Sequence, residues 1–312
     1  MTNLVSVIIP CYNSGKYLTS AFQSVLNQDH QNLELIFVND GSTDNSLSIA
    51  QEFAAHDKRI KIISQANRGL NAARNFGAKY ISLESEALIF FDADDIMDKK
   101  LINSLFKELE NEANVGAVYC SFKFIDGNGN SIEKSLKNKR LIPVKKWFKE
   151  LPDEERCTPF FSIYSWTIMA EAFTMIRKDI FFKYGGWDEK NFPKGDTYGE
   201  SIPLFGEIAL NHKIVYVNED LYLYRQHNSQ ITSGDFDKKY IQKRIDRIMF
   251  NKRYQSLEIK HEVEKTIQIA RYRLPLFNYV HGSMKHELRF KPLIACKNLL
   301  FKGALYFYSL RF

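Results

Sequence analysis

Apolar residues in the first 125 positions come in short runs with regular polar punctuation. Val5-Ser6-Val7-Ile8-Ile9 is rich in β-branched residues and stops at Pro10, which predicts a strand over 5–9 and a loop through Cys11-Tyr12-Asn13-Ser14-Gly15. Tyr17, Leu18, Ala21, Phe22, Val25 and Leu26 then recur at the spacing of one helix face. A second strand is predicted over 33–38 and delivers Asn39-Asp40-Gly41-Ser42-Thr43-Asp44. Gly41 gives the freedom a tight turn needs, and Ser42, Thr43 or Asp44 can cap a helix whose apolar face includes Leu47, Ala50, Phe53 and Ala54. A strand over 60–63 and a helix opened by Asn67-Arg68-Gly69-Leu70-Asn71-Ala72-Ala73-Arg74-Asn75 continue the alternation. Strand and helix taking turns in this way predict an α/β fold with a mostly parallel sheet flanked by helices.

The fourth run, Ala87-Leu88-Ile89-Phe90-Phe91, reads as a buried strand and stops at Asp92-Ala93-Asp94-Asp95. In open α/β sheets ligands bind beyond the carboxyl ends of the strands, so these acids stand where a ligand would sit. Crowded carboxylates repel unless a cation lies among them, and oxygen ligands suit Mg²⁺ or Mn²⁺. The alternative is that Asp94 or Asp95 caps a helix beginning near Asp98 and running to about Asn111. Arg68 and Arg74 flank a helix start, a position that favours an anion. A further strand over 115–125 and a hairpin turn at Asp126-Gly127-Asn128-Gly129-Asn130 follow. Four strand ends therefore converge: Pro10 to Asn13, Asp40 to Ser42, Asn67 to Gly69 and Asp92 to Asp94. Neither G-x-G-x-x-G after the first strand nor G-x-x-x-x-G-K-[ST] occurs, so dinucleotide-binding and P-loop chemistry lose their main support.

These blocks, in this order, closely resemble glycosyltransferase family 2, the inverting nucleotide-sugar transferases of GT-A fold. The residues carrying the resemblance are Val7-Ile8-Ile9-Pro10-Cys11-Tyr12-Asn13, Val38-Asn39-Asp40-Gly41-Ser42-Thr43-Asp44, the stretch from Asn67 to Asn75, and Phe91-Asp92-Ala93-Asp94-Asp95. Gly185-Gly186-Trp187-Asp188-Glu189 and Tyr224-Arg225-Gln226-His227-Asn228-Ser229-Gln230-Ile231-Thr232 match as well. The resemblance implies a catalytic domain over 1–234, with a nucleotide-sugar half at 1–98 and an acceptor half at 99–234; the basic, aromatic-rich stretch over 235–312 reads as a helical tail by its composition. It implies that Pro10, Tyr12, Asn13, Asp40, Gly41, Asn67, Gly69, Arg74, Asp92 and Ala93 surround the nucleotide. Asp94, Asp92 and His227 would hold Mn²⁺ or Mg²⁺, Arg225 would reach the diphosphate, and Trp187 and Asp95 would face the acceptor.

In the family the base is usually the Asp of a Glu-Asp pair, and here the matching segment reads Gly199-Glu200-Ser201. A serine hydroxyl stays protonated near neutral pH, so Ser201 cannot simply substitute. Glu200 is the nearest carboxylate and the favoured base, with Asp196 next. Ser201 also favours the rival expectation of a catalytically weak or inactive nucleotide-sugar-binding partner at the membrane.

Charge adds one element to this picture. The net charge of +6 is uneven, because 236–312 hold 17 Lys and Arg against 6 Asp and Glu. A basic tail mixed with Leu, Ile and Phe suits an anionic membrane surface, and the resemblance implies a saccharide or lipid-linked acceptor in surface polysaccharide assembly. No nucleic-acid-binding motif accompanies the charge. The aromatic stretch over 141–173, with Trp147, Phe148, Phe160, Phe161, Tyr164 and Trp166, is expected to face the acceptor or to pack the core. Cys11, Cys120, Cys157 and Cys296 form no C-x-x-C, so neither a zinc site nor a disulfide framework is expected. The expected location is cytoplasmic, either free or peripheral at the inner face of the cell membrane, and a homo-oligomer is compatible with the chain.

Overall fold

The computed structural model describes residues 3–132, 173–190, 194 and 202–227. In chain order these form β1 (Leu4–Cys11), α1 (Gly15–Leu26), β2 (Leu33–Asn39), α2 (Ser46–His56), β3 (Ile60–Ser64), α3 (Leu70–Ala78), β4 (Ser85–Phe90), β5 (Ile96–Met97), α4 (Leu101–Asn111) and β6 (Val115–Ile125). After residues outside this description come β7 (Thr174–Arg177), α5 (Lys178–Lys183), α6 (Ile202–Asn211) and β8 (Lys213–Arg225).

The eight strands make one mixed sheet in the order β3-β2-β1-β4-β7-β6-β8-β5. β1 runs parallel to β2 and β4, and β2 runs parallel to β3. The chain thus winds from β1 outward through β2 and β3, then returns to lay β4 on the other side of β1. That reversal is the topological switch point, where a crevice opens beyond the strand ends. β1 and β2 are buried almost throughout, which is why their sequences read as continuous apolar runs. The polar exceptions meet across the ladder: Ser6 pairs in register with Glu34, whose carboxylate accepts Ser6 Oγ at 2.6 Å, Ser82 N at 2.6 Å and Lys61 Nζ at 2.7 Å.

Several boundaries depart from the sequence expectation. β1 continues through Pro10 to Cys11, because proline removes only one donor and Cys11 O still accepts Asp40 N at 2.9 Å. α2 starts at Ser46, and Asp44 takes a different role from a conventional cap. Its Oδ1 accepts Ser46 N at 3.0 Å while Oδ2 accepts Gly15 N at 3.0 Å, so it ties the starts of α1 and α2 together. Neither Asp94 nor Asp95 caps α4, which begins only at Leu101 with Asp98 Oδ1 accepting Lys100 N. The intervening Ile96 and Met97 are drawn into the sheet by Leu223 and Tyr222 of β8. β7 is inserted antiparallel between β4 and β6. Its Arg177 donates to the carbonyls of Leu109, Glu112 and Val115, closing the carboxyl end of α4. The turn after β6 forms as expected, with Asp126 N bonded to Asn130 O at 2.9 Å and a bridge between Ile125 and Ser131.

Candidate active site

Beyond the carboxyl ends of β1, β2 and β3 the loops are stitched to one another. Asn13, at φ 53°, donates its N–H to Ser42 Oγ at 3.1 Å and accepts Thr43 N on Oδ1 at 2.8 Å. Tyr12 is left 52% exposed beside this junction, whereas Pro10 is buried in β1. Asp40 is buried at the end of β2 and organises the 65–69 loop. Its Oδ1 accepts Gln65 Nε2 at 2.7 Å and Arg68 N at 2.9 Å, and its Oδ2 accepts Gly69 N at 3.0 Å. Gly41 and Gly69 both sit at positive φ, 75° and 91°, in close quarters. A Cβ on Gly41 would lie 2.8 Å from Asn67 N, and one on Gly69 would lie 2.9 Å from Lys194 Cα, so side chains are excluded twice over.

The acidic turn after β4 splits its three carboxylates among three environments. Asp92 is half-buried, with Arg74 Nη2 3.5 Å from its Oδ1. Ala93 is buried. Asp94 reaches the other way, and His227 Nε2 lies 2.9 Å from its Oδ2. Asp95 turns inward, is 1% exposed, and accepts Arg225 N at 2.7 Å and the Tyr222 hydroxyl. Burial pushes the Asp95 carboxyl well above the usual carboxylate range, and the charges of Asp94 and Asp92 push it further.

This placement corrects one expectation. Asp95 cannot face an acceptor, because its oxygens are enclosed by β8. Trp187 packs inside the fold, 2% exposed and edge-on against Phe90 and Phe205. Arg225 also differs from the open guanidinium expected at a diphosphate, being 3% exposed. Its Nε donates to Asp94 O at 2.6 Å, Nη1 to Asp126 O at 3.2 Å and Gly127 O at 3.1 Å, and Nη2 to Ser20 Oγ at 3.2 Å. Among the described residues, four of its five guanidinium N–H groups are taken. The base candidates Glu200 and Asp196, with Ser201, lie outside the described residues, as do the aromatic stretch to residue 172 and all of 235–312.

Sequence reasoning missed the contributors that become visible only across the fold. Tyr17, read as core, touches both the His227 ring, at 4.7 Å between centroids, and the Arg225 guanidinium, at 4.9 Å. Asn75 Nδ2 donates to Trp187 O and Glu189 Oε1, each at 2.8 Å, and its Oδ1 accepts Trp187 N at 2.9 Å. Asn71 stands one helical turn before Arg74, and that i, i+3 spacing was the available signal. Arg74 is 2% exposed, yet among the described residues its Nε and Nη1 have no hydrogen-bond partner, and neither do the buried Oδ1 of Asn71 and Nε1 of Trp187. Buried polar groups are nearly always paired, so these atoms are exceptions.

A sheet wound to a switch point, with an acidic turn at the end of β4, defines the GT-A class of transferases. The structure matches that of Staphylococcus aureus TarS 1–349 in complex with UDP-GlcNAc at a TM-score of 0.63, with 19% identity over 91% of this chain and 76% of that one. It matches the mannosyltransferase PcManGT from Pyrobaculum calidifontis, in complex with GDP-Man and Mn²⁺, at 0.56, with 17% identity over 97% of this chain and 80% of that one. The particular family follows from the sequence: the model for glycosyl transferase family 2 matches residues 6–181, and the chain belongs to that family. Its relatives include glycosyltransferase GlyG of Streptococcus pneumoniae serotype 4, 31% identical over 244 residues, which are 76% of this chain and 75% of that protein. The uncharacterized glycosyltransferase EpsJ of Bacillus subtilis is 26% identical over 88% of this chain and 77% of its own length. The chain is therefore a glycosyltransferase.

No three His, Cys, Asp or Glu side chains among the described residues are gathered to hold a metal ion. Asp94 and His227 lie side by side at 2.9 Å, both partly accessible. Among the described residues no helix is long and apolar enough to cross a membrane.

Proposed function

We propose that the chain transfers a sugar from a UDP-sugar to a saccharide or lipid-linked acceptor with inversion, in surface polysaccharide assembly. The observation that carries this proposal is the convergence of the exposed Tyr12, the loop organised by Asp40 and the partly exposed Asp92 and Asp94 at the carboxyl ends of β1, β2 and β4. Uracil is favoured by Asp40, three of whose roughly four acceptor positions are already filled by the 65–69 loop. One N–H, such as that of uracil N3, fits the remainder, whereas the paired N–H groups of guanine would demand more. Tyr12, exposed at the end of β1, offers a face for the base, with Asn13, Gly41, Asn67, Gly69 and Ala93 shaping the pocket.

Asp94 and His227, with Asp92 nearby, would hold the divalent metal. Bound there, it supplies Lewis-acid stabilisation of the departing diphosphate, worth several kcal/mol. Mn²⁺ in the related fold supports this assignment. The acceptor hydroxyl attacks the anomeric carbon as the bond to the diphosphate breaks, and its proton passes to a carboxylate. Glu200 is the proposed base and Asp196 the second candidate, a role worth about 10² to 10⁴ in rate. Residues 1–234 are the proposed catalytic domain, and the basic segment 235–312 would rest on an anionic membrane face.

The test is hydrolysis and binding of UDP-, GDP- and dTDP-sugars with Mn²⁺ or Mg²⁺, with and without EDTA, comparing wild type with Glu200→Gln. Metal-dependent turnover of a UDP-sugar, lost in Glu200→Gln while UDP binding persists, is expected. Preference for a GDP-sugar would refute the role given to Asp40.

A further inference from the structure

We propose that Trp187, gripped by Asn75, is a positioning residue that holds Arg74 against Asp92 at the nucleotide site. The proposal rests on the nucleotide site described above and deepens it. The Arg74 guanidinium carbon lies 4.6 Å from the centre of the Trp187 ring. A guanidinium held against an aromatic ring is attracted to it without spending an N–H group, which leaves its donors to a carboxylate. Nη2 is 3.5 Å from Asp92 Oδ1, and Nε and Nη1 are buried with no hydrogen-bond partner among the described residues.

A buried guanidinium is costly unless its surroundings over-determine its place. Here they do so from two sides. Asp92 pulls on Nη2, and the indole ring lies against the guanidinium carbon. The indole is itself immobilised, because Asn75 binds both the N–H and the carbonyl of Trp187 with one amide, as a neighbouring strand would. Asn75 also holds Glu189, which reaches Arg68 Nη2 at 3.2 Å. Asn75 follows Arg74 directly in α3, so one helix carries both the group held and the clamp that fixes its platform. The Gly-Gly-Trp-Asp-Glu block then serves the donor side of the site, in contrast to the acceptor role the resemblance implied.

The experiment is calorimetric binding of UDP to the full chain, for wild type, Trp187→Leu, Trp187→Phe, Arg74→Ala and the double variant Arg74→Ala/Trp187→Leu. Trp187→Leu is expected to weaken UDP binding about tenfold, and Trp187→Phe, which keeps a ring face, to restore most of it. In the double variant the losses should not add, because removing the guanidinium leaves the platform nothing to hold. A purely packing role would lower stability in Trp187→Leu and leave additive losses or unchanged UDP affinity, and that result would overturn the proposal. Asn75→Ala is the second probe should Trp187→Leu fold poorly. It leaves the indole in place but ungripped, and wild-type UDP affinity there would remove the clamp. If the wild type binds no nucleotide, the assignment of the site fails and this role falls with it. If wild type binds and Trp187→Leu binds equally, only the role of Trp187 is lost.

Discussion

Replacing Arg225 by lysine separates a brace from a phosphate ligand. The guanidinium makes four hydrogen bonds, to Asp94 O, Asp126 O, Gly127 O and Ser20 Oγ, and so joins the acidic turn, the 126–130 turn and α1. A lysine ammonium is a point donor on a flexible stem and can reproduce about one of these bonds. At about 0.5 to 1.5 kcal/mol net for each of the three bonds lost, and more for any carbonyl left buried and unpaired, Arg225→Lys should lower stability by about 2 to 4 kcal/mol. The charge and part of the contact with Tyr17 persist, which keeps the estimate at the lower end of an alanine substitution. Urea unfolding at neutral pH reads this as a lower midpoint with an unchanged slope. UDP affinity should fall only a fewfold, since Asp40 and Arg74 stand on other elements. Wild-type stability, together with a large loss of UDP affinity that uridine does not share, would refute the bracing role and return Arg225 to the diphosphate.

Asp94→Ala should abolish Mn²⁺ binding measured by paramagnetic resonance in the presence of UDP. Stability should change by less than about 1 kcal/mol, because the contact with His227 is partly solvated. Undiminished Mn²⁺ affinity would remove the metal assignment. Glu34→Gln should cost about 1.5 to 3 kcal/mol at neutral pH, kept to that range by the half-exposed Lys61. Burial raises the Glu34 pKa, but hydrogen bonds from Lys61, Ser6 and Ser82 outweigh it and hold the group below its ordinary 4.5. The carboxylate's stabilisation is therefore complete above that value and lost as pH falls through the lower folded pKa. The gap between wild type and Glu34→Gln should close as unfolding is followed from pH 5 toward pH 3, and a constant gap would contradict it.

Residues 4–125 announced their own architecture. Continuous apolar runs over β1, β2 and β4 and the helical spacing over α1 depend on local periodicity alone, and so does the D-G-N-G-N turn. The convergence of four strand ends followed from the alternation of strand and helix, because a parallel sheet must place those ends on one edge. Apart from the Arg74–Asp92 pair, what stayed hidden depends on partners more than a hundred residues away. Ile96 and Met97 are too short a run to signal a strand, and only β8 makes them one. Asp92, Asp94 and Asp95 look alike in sequence. Arg74, His227 and the backbone of Arg225 send them to a half-buried pair, a partly accessible histidine contact and a sealed interior. The grip of Asn75 on Trp187 is likewise invisible until α3 meets the glycine-rich turn. Composition and spacing determine which chemistry a loop can carry, while burial and long-range hydrogen bonds decide which of its groups can meet a ligand.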